Sequence, residues 1–276
     1  MRLAAKPLPL EHLSPTSMAL FASCPEQFRQ RYILGRPDQN FGDRFMGIVN
    51  HDTIADLLIT KMNVELRGRF DALDSDQQKL FVRERYRDQW ETALKQEGEP
   101  DWRQQDPQEQ YTRGLLMALT YAEKALPSIE PVAVEQRVEV KLAAMPPIVG
   151  YVDVIEEGKI RERKTTNKKV TKPTSKWRFQ GRVYQFILGL PVEWDVLTRQ
   201  AEPQLYTAQE FPELRMDFTD RSNTERLIRD IYLQMQDLWM RRGDIEAWPQ
   251  TGFFDPWLCQ FCSIGPKYGA TCGAWS

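Results

Sequence analysis

Between Gly150 and Lys164 the chain reads Gly-Tyr-Val-Asp-Val-Ile-Glu-Glu-Gly-Lys-Ile-Arg-Glu-Arg-Lys. Tyr151, Val152, Val154 and Ile155 are β-formers and Glu157-Gly158 is a turn signal, so the spacing predicts two short strands joined by a tight turn. Asp153 falls in the middle of the first strand. Glu162 and Lys164 lie two apart on the second and therefore share a face. An acid on one strand facing an acid and an ammonium on the next suits a divalent-metal site with a lysine beside it. The pattern is weak by itself: 28% of the chain is charged, and charges on a hairpin face ordinarily meet water. The surroundings decide.

Upstream, Ser14-Pro15 predicts an N-cap and first helical position, with a helix running to about Leu34 and Gly35 and broken or restarted at Pro25. A second helix is expected from Asp43 to Met62, with Ile48, His51, Ala55 and Leu58 on one face, which turns His51 inward. A charged helix is expected from Ser75 to Leu94, a polar loop from Gln96 to Pro107, and a helix from Gln108 to Leu126 with Leu115, Leu119 and Ala122 facing in. Strands begin after Pro131, where Val132, Val134, Val138, Val140 and Leu142 alternate with polar residues. After the hairpin come a basic loop, Lys168 to Pro173, and a helix from Trp177 to Leu188. Strands are expected at Val192–Leu197 and Gln204–Phe211. A long helix through Trp239 follows, with Ser222 and Glu225 as its capping box. The fold class is α/β: a central mixed β-sheet flanked by helices, with a helical N-terminal part and a cysteine-rich C-terminal tail.

Three features reinforce the hairpin. From Lys159 to Arg182 there are ten Lys or Arg and one acid, Glu162, with aromatic residues interleaved. A basic groove carrying aromatics is what a polyanion backbone needs, and Lys168, Lys169, Lys172, Lys176, Trp177 and Arg178 are its candidate residues. Gln180 and Tyr184 are four apart on a helix and share a face. His51 is a metal-ligand candidate once carboxylates lie nearby, although a lone inward histidine is more often a satisfied core residue. The cysteines form a separate set. Cys259 and Cys262 have a metal-type spacing, Cys272 lies ten residues on, and Cys24 is the fourth. Together they count out one four-thiolate site; spacing alone does not choose zinc over iron–sulfur.

Composition narrows the class. At 276 residues the chain can bury a substantial core. The net charge of −2 gives no global reason to expect nucleic acid, so any basic surface is local. No apolar run spans a bilayer, the first residues lack a signal-peptide core, and no P-loop is present, so a soluble cytoplasmic protein without that type of NTPase motor is expected.

At this point the motifs resemble the PD-(D/E)xK nuclease superfamily, in its RecB-like iron–sulfur exonuclease branch. That branch includes CRISPR-associated spacer-acquisition exonucleases, the AddB nuclease domain, and stand-alone phage and plasmid relatives. The residues that carry the resemblance are Leu13 to Ser17, Cys24-Pro25, Tyr32 to Gly35, Gly47 to His51, Gly150 to Asp153, Glu162 to Thr166, Gln180 with Tyr184, and the terminal cysteines. The resemblance implies one nuclease domain over 1–276: a helical part to 130, a catalytic sheet core over 131–215, and a C-terminal helix and iron–sulfur tail over 216–276. It implies a metal-dependent DNA exonuclease of recombination, repair or spacer processing, in a bacterial or phage-infected cytoplasm. DNA, single-stranded or with a free end, would be the substrate, and recombination or CRISPR-adaptation proteins the partners.

His51, Asp153, Glu162 and the backbone carbonyl of Arg163 would bind Mg²⁺ or Mn²⁺. Lys164 would orient and help deprotonate the attacking water, while Gln180 and Tyr184 position the strand. Cys24, Cys259, Cys262 and Cys272 would hold a [4Fe–4S] cluster. Val152 replaces the proline of the motif's name, the gap from Cys262 to Cys272 is long, and the charged stretch 71–110 has no assigned role. The competing classes are a non-catalytic nucleic-acid-binding module on the same fold and a zinc-stabilised structural protein.

Overall fold

The computed structural model describes residues 8–36, 40–243 and 248. The N-terminal part is helical: α1 (Pro15–Ser23), α2 (Pro25–Phe28), a π-helical turn (Arg29–Ile33), α3 (Gly42–Met62), α4 (Val64–Asp71), α5 (Ser75–Glu97) and α6 (Pro107–Lys124). Ser14 and Ser17 cap α1 reciprocally, and Pro25 restarts the helix one residue after it ends, as expected from a residue that fits only a first turn. The sequence pattern gives no sign of the short α4: none of its residues is buried, and of its three apolar residues only Leu66 and Phe70 stand a turn apart, too little for the periodic signal that marks a helix.

The sheet comprises β1 (Pro131–Val140), β2 (Ile148–Glu156), β3 (Lys159–Thr166), β4 (Val192–Thr198), β5 (Leu205–Tyr206) and β6 (Arg215–Met216). Its order is β1-β2-β3-β4-β5, with β6 also on β4. The first three strands are antiparallel neighbours. β3 and β4 are parallel, joined through α7 (Ser175–Leu188). Helix α8 (Arg221–Arg242) is the last described element.

Two differences from the expected elements have local causes. The strand expected over Gln204–Phe211 survives only as β5, because Glu210 and Phe211 turn back onto the carbonyl of Thr207. The long helix is capped two residues earlier than expected: Asp220, not Ser222, accepts the first backbone N–H, and Ser222 donates to Asp220.

Opposite faces of the sheet carry different cores. Ile160, Val192, Trp194 and Val196 pack with Tyr184 of α7. On the other face Val154 and Leu197 join Phe45, Val49 and Leu58 of α3 and Tyr121 of α6. The alternation of β1 and β2 changes sides midway. Val134 and Val154 belong to the α3 side, yet Val138 and Val152 belong to the α7 side. A regular strand keeps residues two and four apart on one face. The change coincides with Glu135, which has a φ of +51°, and with Asp153 across from it, between the pairs Val134–Val154 and Gln136–Val152. The same place ends the β2–β3 ladder, whose pairs run only from Glu156–Lys159 to Val154–Arg161.

Candidate metal centre

The sheet therefore separates where the hairpin carries its charges. Asp153 projects from β2 at the break, and Glu162 and Lys164 follow on β3. Helix α3 supplies the third side. His51 Nε2 lies 2.9 Å from Asp153 Oδ1, and the second oxygen of Asp153 accepts the backbone N–H of Arg163 at 2.6 Å. Lys164 Nζ donates to Glu162 Oε2 at 3.0 Å. The inward turn expected of His51 is met in part: its side chain keeps 31% of its exposure.

The structure adds one carboxylate that the hairpin motif does not contain. Glu135, on β1, reaches to 3.5 Å from His51 Nδ1 and accepts from Arg163 Nη2 at 2.7 Å. His51, Glu135 and Asp153 each offer a ligand atom within 4.8 Å of the others. Glu162 is fully buried and hydrogen-bonded to Lys164, and stands outside this closest trio. Its carboxylate nevertheless approaches the backbone N–H of Asp153 at 3.5 Å, so the two acids face one space. A signal for Glu135 existed in the sequence, an acid inside an apolar alternation. Its significance depends on strand register, which the sequence does not print.

Burial and mutual repulsion set the charges apart. Burial and the Asp153 carboxylate push the Glu162 carboxyl up to about 7, with Lys164 only partly opposing them. Burial acts on Asp153 too, but His51, Lys164 and Arg163 outweigh it and hold this carboxyl well below its ordinary range. Burial disfavours a charged His51, yet Asp153 overcomes it and raises the imidazole to about 9. Lys164 is likewise raised: burial is outweighed by Glu162 and Asp153, so it is held as an ammonium. Two carboxylates, one imidazole and a further acid converging on one space form a donor set that suits Mg²⁺ or Mn²⁺. An acid whose ionisation is made harder by burial and by a neighbouring carboxylate is a place where a divalent cation would be stabilising.

Gln180 and Tyr184 are brought together as expected, but toward β2. Gln180 Nε2 donates to Tyr184 Oη at 3.2 Å, and Tyr184 Oη donates to the carbonyl of Tyr151 at 2.6 Å. That carbonyl lies beyond the last β2–β3 pair. Gly150 makes the approach possible, since a Cβ there would sit 2.6 Å from the Tyr184 ring.

The basic loop is where the sequence put it. Lys168, Lys169 and Lys172 are exposed on the loop, and Lys176 and Arg178 on the first turn of α7. Two of the candidate residues also pack on the protein itself. Lys169 sits over the rings of Phe211 and Tyr206, 5.0 and 5.5 Å from their centroids, and Trp177 is half-buried against the α7-side core. Cys24 lies between α1 and α2, partly buried. Cys259, Cys262 and Cys272 lie outside the described residues. Trp248 is buried against Phe21 and Phe28, and its backbone N–H donates to the buried carboxylate of Glu26 at 2.7 Å. None of the described helices is long and apolar enough to cross a membrane.

Among solved structures, a protein from Eubacterium rectale carrying a provisional exonuclease name is 14% identical, over 93% of this chain and 92% of its own, with a TM-score of 0.48. A structure named SSO0001 is 16% identical over 79% and 85%, with a TM-score of 0.35. No curated protein matches the chain. A family model matches residues 12–266, nearly the whole length, and its description is that of the motif quoted above. The chain belongs to the PD-(D/E)XK nuclease superfamily.

Proposed function

We propose that this protein is a Mg²⁺- or Mn²⁺-dependent deoxyribonuclease that digests DNA from an end, as a single nuclease domain. The observation that carries the reading is the convergence of His51, Asp153, Glu162 and Lys164 at the point where β2 and β3 part. Asp153, Glu162, His51 and the carbonyl of Arg163 would hold the cation, with Glu135, 3.5 Å from His51, as a further candidate ligand. When bound, the metal polarises the phosphate and lowers the pKa of a water.

The chain's own residues do the rest. Asp153, already ionised, accepts the Arg163 N–H and keeps its other oxygen directed at His51. Lys164 is held as an ammonium beside Glu162, so its first contribution is electrostatic: it orients the water and stabilises charge developing on the phosphate. Gln180 and Tyr184 hold β2, and so Asp153, against α7. The exposed lysines of the loop after β3 would track the phosphate backbone.

The test is digestion of end-labelled single- and double-stranded DNA with Mg²⁺ or Mn²⁺, against chelator. Stepwise shortening from an end that stops with chelator is expected. Internal cuts only would remove the exonuclease assignment, and metal-independent or absent cleavage would remove the metal-dependent nuclease itself.

The cysteines complete the proposal. Trp248 stands eleven residues before Cys259 and docks at Glu26, two residues after Cys24. Eleven residues extend at most about 35–40 Å. The sequence spacing and this docking support one four-thiolate site on Cys24, Cys259, Cys262 and Cys272, and the motif resemblance points to a [4Fe–4S] cluster in it. Iron and acid-labile sulfide in anaerobically purified protein test it, and zinc without sulfide is the contrary result. Recombination, repair or spacer processing is the setting to which the motif resemblance points.

A further inference from the structure

Trp177, an aromatic interleaved with the basic residues, is half-buried against the α7-side core. A different aromatic stands open beside the candidate centre. Tyr151 has 57% of its surface exposed, while Ile148, Val149 and Gly150 before it and Val152, Asp153 and Val154 after it are all buried. Exposed tyrosines are common and need no explanation singly. What distinguishes this one is its placement.

Gly150 and Val152 face α7, the first against the Tyr184 ring and the second within the α7-side core. Strand alternation then turns Tyr151 to the opposite side. Asp153 also reaches that side, where it meets His51 of α3. Two residues of a strand span about 7 Å, roughly two base steps of a stacked strand. The backbone under the ring is also fixed. The carbonyl of Tyr151 accepts Tyr184 Oη at 2.6 Å, and Tyr184 is in turn held by Gln180. The helix pair expected to position substrate therefore positions the strand that carries both Asp153 and Tyr151.

We infer that Tyr151 is a stacking platform for a nucleobase of single-stranded DNA, one or two nucleotides from the phosphate presented to Asp153. The inference rests on the nuclease reading of that site and names its substrate form. An aromatic face accepts every base, so it gives single-strand preference without sequence preference. A duplex keeps its bases stacked on each other and has none to offer.

The experiment uses the full chain in chelator, where DNA is bound but not cut. Short single-stranded oligonucleotides carry 2-aminopurine at successive positions from either end. Wild type should quench one position most strongly. Tyr151→Ala should lose that quenching and bind single strands about ten-fold more weakly, with duplex binding within about two-fold. Tyr151→Phe and Tyr151→Trp should retain both. An abasic site at the quenched position should weaken wild type to a similar degree and leave Tyr151→Ala nearly unaffected. The exposed ring contributes little to folding, so thermal melting should barely move. Equal single-strand binding by wild type and Tyr151→Ala, with Mn²⁺-dependent cleavage intact, overturns the platform alone. A wild type that neither binds nor cuts DNA removes the nuclease reading and this inference together, and the parallel Mn²⁺ assay separates the two failures.

Discussion

Arg163 Nη1 donates to the backbone carbonyl of His51 at 3.0 Å. The residue between Glu162 and Lys164 thus fastens helix α3 to the sheet from behind. Its other terminal nitrogen binds Glu135, and its side chain is 4% exposed. Arg163→Lys keeps a charge but loses the planar fork that serves both partners. Its Mn²⁺ affinity, measured by calorimetry, should fall about 10-fold or more, as for other residues that orient metal ligands. Unchanged affinity would show that His51 needs no such support.

Asp153→Asn, Glu162→Gln and Lys164→Met should each lower DNA cleavage on the order of 10³-fold while remaining folded, because groups acting on one phosphate fail as a unit. Circular dichroism checks the fold and a gel assay the rate. Wild-type turnover by Glu162→Gln would sink the assignment.

Stability without metal should depend on pH in a defined sense. Glu162 is raised from 4.5 to about 7 and His51 from 6.5 to about 9. In both cases the folded state holds a proton that the unfolded state has lost. Between about pH 4.5 and 9 the folded chain therefore carries more protons, and its stability falls as pH rises. In chelator, the Glu162 and His51 contributions should lower the melting temperature by several degrees across that range. Glu162→Gln, which has no carboxyl to ionise, should flatten its lower half. Metal binding requires the same protons to leave, so Mn²⁺ affinity should rise with pH over the same interval. A wild-type melting temperature that rises across the range, parallel to that of Glu162→Gln, would contradict the sign.

Gly150→Ala would place a methyl group 2.6 Å from a Tyr184 ring carbon, where only a shift of the ring relieves it. It should cost about 1–3 kcal/mol of stability. It should also reduce turnover by displacing the Tyr184 hydroxyl from Tyr151. Chemical denaturation and single-turnover rates measure the two effects.

Paired removal of Lys168, Lys172 and Lys176 should weaken DNA binding without sequence preference and flatten its salt dependence by about one unit of slope per lysine that meets a phosphate. Lys169, turned over Phe211 and Tyr206, should matter less. Salt titrations of anisotropy decide, and an unchanged slope places the groove elsewhere.

The hairpin was legible because its alternation and its Glu157-Gly158 turn are local, and so were the shared face of Glu162 with Lys164 and that of Gln180 with Tyr184. His51 could be oriented by helical periodicity. What could not be read depends on contacts between segments. Glu135 matters only through its register with Asp153. Tyr151 alternates like its neighbours, and nothing local says that the helices leave it uncovered. The hydroxyl of Tyr184 finds a backbone carbonyl only because β2 and β3 have parted. The strand at Gln204–Phe211 looked regular by composition, but a turn at Thr207 took most of it.

The left-handed backbone at Glu135 has a consequence for anyone improving this protein. A residue with a Cβ held at a φ of +51° carries strain of about 1–3 kcal/mol, and glycine adopts the conformation freely. A library screened for heat resistance alone would therefore favour Glu135→Gly. It would enrich sturdier proteins that have lost the carboxylate beside His51, and would record the loss of a metal-site neighbour as progress.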